Sequence, residues 1–589
     1  MARNNLSENK ISRLRSLPLK YWGIFVILGL ALIILGGILI WKFSYTRTAT
    51  TAEEPQAETV KEEKVEEKWW NKDYQHYRKL IVVNNSTRSL PESQTVNLVL
   101  NHTNLVAAGS SRVDGNDLRI VYFQDGNFQE LARQLAGSNT QNTTVSFNLV
   151  RAVTAGGSDD AYYLYYGNDN AIIDNPKQAV LAAGPLDIYE VILGEEKGAR
   201  FYTEISRKWV LVSSVEKLAN TYGFMDYRVR VDNFPIAEHK INLKIVGPQN
   251  ITLAGTQISS GIYETRIRAD QLTPGTYSIT TEIADTHFHS KADTFYVSYP
   301  LYVTWTIDYE GFDVKDQYLE SLAKISSDYG MPITHLFNPR VFIAGDISKK
   351  RAQYLADWVS KRVSENGDEV GLHLHMHLDM VKAAGLTPKT EPRWGGRSNG
   401  HDVLTSAYEY QEFSKLLQWS IKQFIDHGLP KPLSYRAGGW NIDLENMRAL
   451  ADNGFIIDSS GREYFIWGPN QVKSPWHLAS TTRPYQISQS DMNTGAAPNY
   501  NLWEFPNNGM DSTNNKADVL IKKFNENYQG KPINSAQTIT YLSHPHWLDT
   551  YDTPQLRALF SYIDDFKAAN DSGPVIFVTL EDASKEWVK

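Results

Sequence analysis

The run Glu369-Val370-Gly371-Leu372-His373-Leu374-His375-Met376-His377 sets three of the chain's 14 histidines at alternate positions in one apolar segment. His373 and His377 stand four residues apart, so they face one way both in a strand and in the first turn of a helix. Neutral imidazole is the commonest side-chain ligand of divalent zinc, and two imidazoles with one carboxylate leave a catalytic position open. Candidates for the carboxylate end the run Tyr302-Val303-Thr304-Trp305-Thr306-Ile307-Asp308-Tyr309-Glu310-Gly311, which reads as a buried strand. The i, i+2 spacing lets Asp308 and Glu310 project to one side.

Both runs belong to a regular rhythm. Strand-like apolar stretches at 301–307, 333–337, 369–373, 433–435, 455–457, 538–542 and 575–579 alternate with helical stretches at 316–329, 348–365, 405–427, 443–452 and 553–570. Such alternation implies βα units and a parallel sheet. Three further strand ends carry polar groups: Arg436 in Tyr435-Arg436-Ala437-Gly438-Gly439-Trp440, Asp458 after Gly454-Phe455-Ile456-Ile457, and His544 in Tyr541-Leu542-Ser543-His544-Pro545-His546. The C-terminal strand ends are where βα barrels assemble active sites.

Thr306-Ile307-Asp308, His373 with His377, Arg436, Asp458 and Leu542 with His544 resemble, in order and spacing, the five motifs of the polysaccharide deacetylases, the chitin deacetylase-like carbohydrate esterases. The resemblance covers about residues 300–589. It implies a distorted, incomplete (β/α) barrel and one divalent metal ion, zinc, held by Glu310, His373 and His377. It casts Asp308 as general base, His544 as general acid, Arg436 as the partner of the base and Asp458 as the residue that orients the histidine. The pattern departs from the family at several points. Asp308-Tyr309-Glu310 replaces two adjacent aspartates, which moves the metal carboxylate to Glu310. Leu374 follows the first histidine, Ala437-Gly438 replaces two prolines, and Trp467 lies far from Asp458. His375 is extra: a ligand if the segment stays extended, a structural or substrate residue if it turns helical, and the second is the expectation. Trp440, His546 and Trp547 are expected to line the substrate groove, with Glu504 in support.

At 589 residues the chain exceeds what one hydrophobic core supports, and several domains are expected. Residues 1–20 read as a cytoplasmic tail. Residues 21–45 read as a transmembrane signal anchor, because Trp22–Trp41 is an uncharged apolar run preceded by Arg3, Lys10, Arg13, Arg15 and Lys20. Residues 46–68 read as a charged tether with seven glutamates between Glu53 and Glu67. From 69 to 185, short alternating strands with Asn, Gly and Ser turns indicate a β-sandwich that resembles an uncharacterised domain of microbial surface proteins. Its Trp69-Trp70 pair is expected to anchor the first strand rather than bind sugar. Residues 186–298 repeat the period-two pattern and resemble immunoglobulin-like spacers; His287 and His289 there are read as an ordinary strand face. The catalytic domain spans 299–589. The expected fold is therefore an N-terminal transmembrane helix, two all-β sandwiches and a C-terminal α/β barrel.

A net charge of −8 without a basic stripe excludes a nucleic-acid partner. The absence of cysteine excludes disulfides and thiolate metal sites. The functional expectation is a single-pass, extracytoplasmic deacetylase of N-acetylated cell-wall or exported polysaccharide, with the membrane as a second partner through 21–45. Two alternatives are a glycan-binding adhesin with a non-catalytic deacetylase-like domain, and a metal-dependent hydrolase of a non-sugar amide.

Overall fold

The computed structural model describes residues 69–172, 188–236 and 239–588. The tail, anchor and tether expected over 1–68 lie outside the described residues. No helix among the described residues is long and apolar enough to cross a membrane. The transmembrane helix and the single-pass localisation expected from the sequence are accordingly withdrawn.

Two pairs of sheets come first, antiparallel throughout except where Trp209–Leu211 runs parallel to Asp293–Ser298. One sheet runs in the order Asn127–Glu130, Arg119–Gln124, Ser158–Tyr166, His76–Asn84, Tyr189–Gly198. It faces the three strands Thr95–Leu100, Thr143–Asn148 and Arg133–Ala136 across a core that includes Leu80, Val96, Ile120, Phe147 and Leu164. Thr143–Asn148 is strictly alternating in burial, as a strand with one solvated face must be. The first sheet takes in Tyr189–Gly198, and so continues beyond residue 185. There the chain turns at Gly198, with φ +125°, where a Cβ would lie 2.2 Å from the Gln75 carbonyl oxygen. The second pair of sheets encloses Met225, Tyr227, Leu243, Ile245, Ile279 and Phe295. Trp69 joins the two units, packing edge-on against Tyr77 and Phe288 and beside His287.

From Leu301 onward the pattern changes to one large sheet. Its order is Tyr485–Ser488, Asn499–Glu504, Ile457–Asp458, Ser434–Ala437, Glu369–Leu374, Ile333–Phe337, Leu301–Asp308, Gln537–Ser543, Met510–Asp511, with Val575–Phe577 also on Leu301–Asp308. All neighbours are parallel except the first pair. The sheet does not close, leaving a half-barrel. Leu301–Asp308, Glu369–Leu374 and Gln537–Ser543 are buried at every residue, as expected of parallel strands covered on both faces. Helices Asp316–Tyr329 and Lys349–Asn366 cover one side and end on left-handed Gly330 and Gly367.

Two carboxylates fasten the second sandwich to this sheet. Asp571 accepts the backbone N–H groups of Lys208 and Trp209 at 2.7 and 2.8 Å. Glu586 accepts the hydroxyls of Ser213 and Tyr302 at 2.7 and 2.8 Å.

Candidate metal and hydrolytic site

The parallel strands end on one side of the sheet, around a cavity of about 980 Å³ lined by Asp308, Glu310, His373, His375, His401, Asp511 and His544 among others. The base of the site is Arg436, fully buried, with four of its five guanidinium N–H groups aimed at fixed acceptors. Its Nη1 donates to Thr306 Oγ1 at 2.7 Å and to Asp308 Oδ1 at 2.9 Å, its Nε to the Ser459 carbonyl at 2.7 Å, and its Nη2 to Ser459 Oγ at 2.8 Å. The buried Asp308 carboxylate thus has a guanidinium as its ion-pair partner.

Glu310 sits one turn of chain further, at the centre of four imidazoles. Its Oε2 lies 2.7 Å from His375 Nε2 and 2.7 Å from His401 Nε2, while its Oε1 lies 3.2 Å from His544 Nε2 and 3.8 Å from His373 Nε2.

The donor atoms of Glu310, His373 and His375 all lie within 4.8 Å of one another. Ligands about 2.1 Å from a tetrahedral zinc are separated by roughly 3.4 Å, so small side-chain adjustments suffice to seat an ion. His373 gives the sharper test. Its Nδ1 donates to the Arg436 carbonyl at 3.0 Å, leaving a buried Nε2 lone pair that has no hydrogen-bond partner and faces Glu310. An orphaned imidazole nitrogen beside a carboxylate fits a divalent cation.

The second histidine of this group is His375, not His377. The strand ends at Leu374, and the rings of the i, i+2 pair His373 and His375 lie with centroids 4.9 Å apart. His377 instead caps the helix Leu378–Ala383 and donates Nε2–H to the Glu310 backbone carbonyl at 3.0 Å. Burial, with His375 and His401 nearby, drives the His377 imidazole down to about 2, so it is neutral. Its Nε2 holds the Glu310 backbone and its buried Nδ1 has no hydrogen-bond partner, but it lies outside the group formed by Glu310, His373 and His375.

Asp458 is also placed otherwise than the sequence suggested. It lies beneath Arg436, accepts Ser460 Oγ at 2.8 Å, and pairs with Glu504. Burial raises both acids, Asp458 to about 6 and Glu504 well above its ordinary value. The carboxylate beside His544 is Asp511, whose Oδ1 is 3.6 Å from His544 Nδ1. Burial works to lower the His544 imidazole, yet Asp511 and Glu310 together hold it well above the usual histidine range. Asp511 is fixed in turn by Thr513 N–H at 2.9 Å and Asn514 Nδ2 at 2.8 Å.

Aromatic rings wall the cavity. Trp440, Trp467, Trp394 and Trp547 line it together with Phe312 and His546. Trp440 donates Nε1–H to Asn507 and carries the Arg462 guanidinium 4.2 Å over its ring. His546 is anchored by the Asp313 carbonyl at 2.9 Å. Gly438 permits the approach of His375, since a Cβ there would lie 2.7 Å from its Nδ1. Sequence reasoning missed Asp511, His401, Asp402 and Trp394. The last three lie on the long connection between Leu378–Ala383 and Tyr410–Asp426, where Trp394-Gly395-Gly396 and Gly400-His401-Asp402 were the available signals.

No protein-family profile and no curated sequence matches the chain. Solved structures similar to it include a protein from Mycobacterium smegmatis assigned as a polysaccharide deacetylase, at 14% identity and TM-score 0.31, spanning 49% of this chain and 90% of that one. A family 4 carbohydrate esterase from Streptomyces lividans, solved with acetate, gives 12% identity and TM-score 0.24 over 46% of this chain and 89% of that one. At such scores the likenesses carry no weight for the chemistry, which rests on the side-chain geometry.

Proposed function

We propose that the half-barrel is a metal-dependent amide hydrolase that removes N-acetyl groups from a polysaccharide. The observation that carries this is the placing of two oppositely equipped proton-transfer groups in one cavity beside Glu310, His373 and His375. Asp308 is a carboxylate paired with the Arg436 guanidinium at 2.9 Å, and His544 an imidazole that Asp511 and Glu310 hold well above its usual range. A carboxylate and a proton-bearing imidazole facing one cavity supply a proton acceptor and a proton donor.

Glu310, His373 and His375 would hold the ion. When bound, a divalent cation acidifies water and polarises a carbonyl oxygen. Asp308 accepts the proton of the attacking water as its oxygen bonds to the acetyl carbon. His544 then gives its proton to the departing nitrogen as the C–N bond breaks, which leaves acetate and a free amine. The rings of Trp394, Trp440, Trp467 and Trp547 suit the faces of sugar residues and restrict water.

Full-length protein loaded with zinc and incubated with N-acetylated and O-acetylated oligosaccharides tests the assignment. Acetate should appear, with matching free amine, from the N-acetylated set. Acetate from the O-acetylated set alone, or from neither, would refute it.

A further inference from the structure

The chemistry described so far leaves His401 and Asp402 without a task. We propose that His401 is a fourth protein ligand of the divalent ion, giving a set of three imidazoles and one carboxylate; this rests on the metal-dependent reading of the same cavity.

Hydrogen-bond accounting leads to it. His373 Nδ1 faces the Arg436 carbonyl at 3.0 Å, His375 Nδ1 the His401 carbonyl at 2.9 Å, and His401 Nδ1 the Asp402 carboxylate at 2.8 Å. None of these partners can donate, so each ring carries its proton on Nδ1 and, when neutral, offers a lone pair at Nε2. Both His375 Nε2 and His401 Nε2 then stand 2.7 Å from one oxygen, Glu310 Oε2. Lone pairs facing a carboxylate at that distance repel it. The two rings are stacked, with centroids 3.8 Å apart and planes 11° from parallel, so both Nε2 atoms reach Glu310 Oε2 side by side. A cation shared by both Nε2 atoms and Glu310 removes this conflict. His373 meets the same carboxylate from its Oε1 side.

The surroundings are those of a ligand. A carboxylate behind the distal nitrogen is the usual support of a metal-bound histidine, and Asp402 provides it. Asp402 is fixed by the Arg397 backbone N–H at 2.9 Å. The connection carrying both residues is fitted closely: a Cβ on Gly395 would lie 2.1 Å from Asp402 Oδ2, and one on Gly400, with φ +87°, 2.4 Å from the Met376 carbonyl. Four protein ligands plus water make a five-coordinate site, unlike the three-ligand tetrahedral zinc arrangement.

Titrating metal-stripped full-length protein with Co²⁺ alone tests this, because visible bands of cobalt are weak in five-coordinate sites and intense in four-coordinate ones. Wild type should bind one Co²⁺ with weak bands. His401→Ala should lose more than about 100-fold in affinity and gain the intense four-coordinate bands, whereas Asp402→Asn should lose about 10–100-fold and keep its bands. His401→Gln retains an N–H for Glu310 but not the imidazole, and should behave as His401→Ala; it carries the test if the alanine variant does not fold. Wild-type affinity and bands in His401→Gln would overturn the ligand role, leaving His401 as a donor that holds Glu310. Wild-type protein that binds no Co²⁺ would overturn this inference together with the metal-dependent function. Binding with intense bands that neither substitution alters would overturn this inference alone.

Discussion

At the scale of single residues, the site depends on which carboxylate serves which partner. Asp511, not Asp458, stands beside His544. Asp511→Asn should therefore lower the pKa of His544, so that the proton donor is lost at lower pH. The alkaline limb of the kcat profile should move to lower pH, and Asp458→Asn should leave that limb in place. A shift with Asp458→Asn alone would restore the role the sequence suggested for it. Asp308→Asn keeps an oxygen for Arg436 but cannot accept the proton, so turnover should fall by about 10²–10⁴-fold with metal content unchanged, measured by single-turnover acetate release and metal analysis. The pairing of Asp308 with Arg436 was legible because both end strands whose apolar runs are plain in the sequence. The choice of His375 over His377 was not legible. It depends on where the strand ends and how the chain turns before the helix that starts at Leu378, a detail that spacing cannot resolve. Asp511 was hidden for a similar reason, since it ends a two-residue strand with no apolar run to announce it.

At the scale of elements, Glu369 shows how the strand ends are held. It begins the strand that carries His373, and a strand-end charge would be unremarkable there. Instead it is buried at 4% exposure and accepts Thr334 Oγ1 at 3.0 Å, the Glu581 backbone N–H at 2.8 Å and Ser434 Oγ. It thus ties two neighbouring strands to the last helix. Burial pushes its carboxyl up from 4.5 to about 7. The folded chain keeps a proton that the unfolded chain has released above about pH 4.5, so this group's contribution to stability falls as pH rises from there through 7. Urea unfolding at pH 5 and 7.5 should show a smaller loss across that interval in Glu369→Gln than in wild type. An equal loss would mean that Glu369 is ionised in the folded chain. The sequence could not disclose this burial, because the covering helix Leu580–Ser584 arrives from more than 200 residues away. The connection bearing His401 was equally opaque: it has neither periodicity nor an apolar run, and only its glycines marked it.

At the scale of the whole molecule, the change of rhythm near residue 300 foretold the passage from antiparallel sheets to a parallel one, since period-two alternation gives way to buried runs separated by helices. The boundary between the two sandwiches was less legible, because Tyr189–Gly198 and Arg200–Ile205 are nearly continuous, with only Ala199 between them. The transmembrane expectation rested on an apolar run and the basic residues before it, and is not supported. The second sandwich is attached through few polar anchors, of which Asp571 takes two backbone N–H groups at once. Asp571→Ala should leave these donors to water and weaken the attachment by about 1–3 kcal/mol. Calorimetry should then resolve a separate, earlier transition for the sandwich; an unchanged single transition would place the attachment elsewhere, in the apolar contact around Leu211 and Tyr302.

The central claim is that Glu310, His373 and His375 hold a catalytic divalent ion. Its most direct measurement is acetate release from an N-acetylated oligosaccharide by metal-stripped full-length protein as zinc is restored in substoichiometric steps. Activity should rise in proportion to bound zinc up to one equivalent in wild type, and Glu310→Gln should neither retain the ion nor regain activity. Stripped protein that releases acetate as fast as loaded protein, or Glu310→Gln that recovers with zinc, would contradict the account.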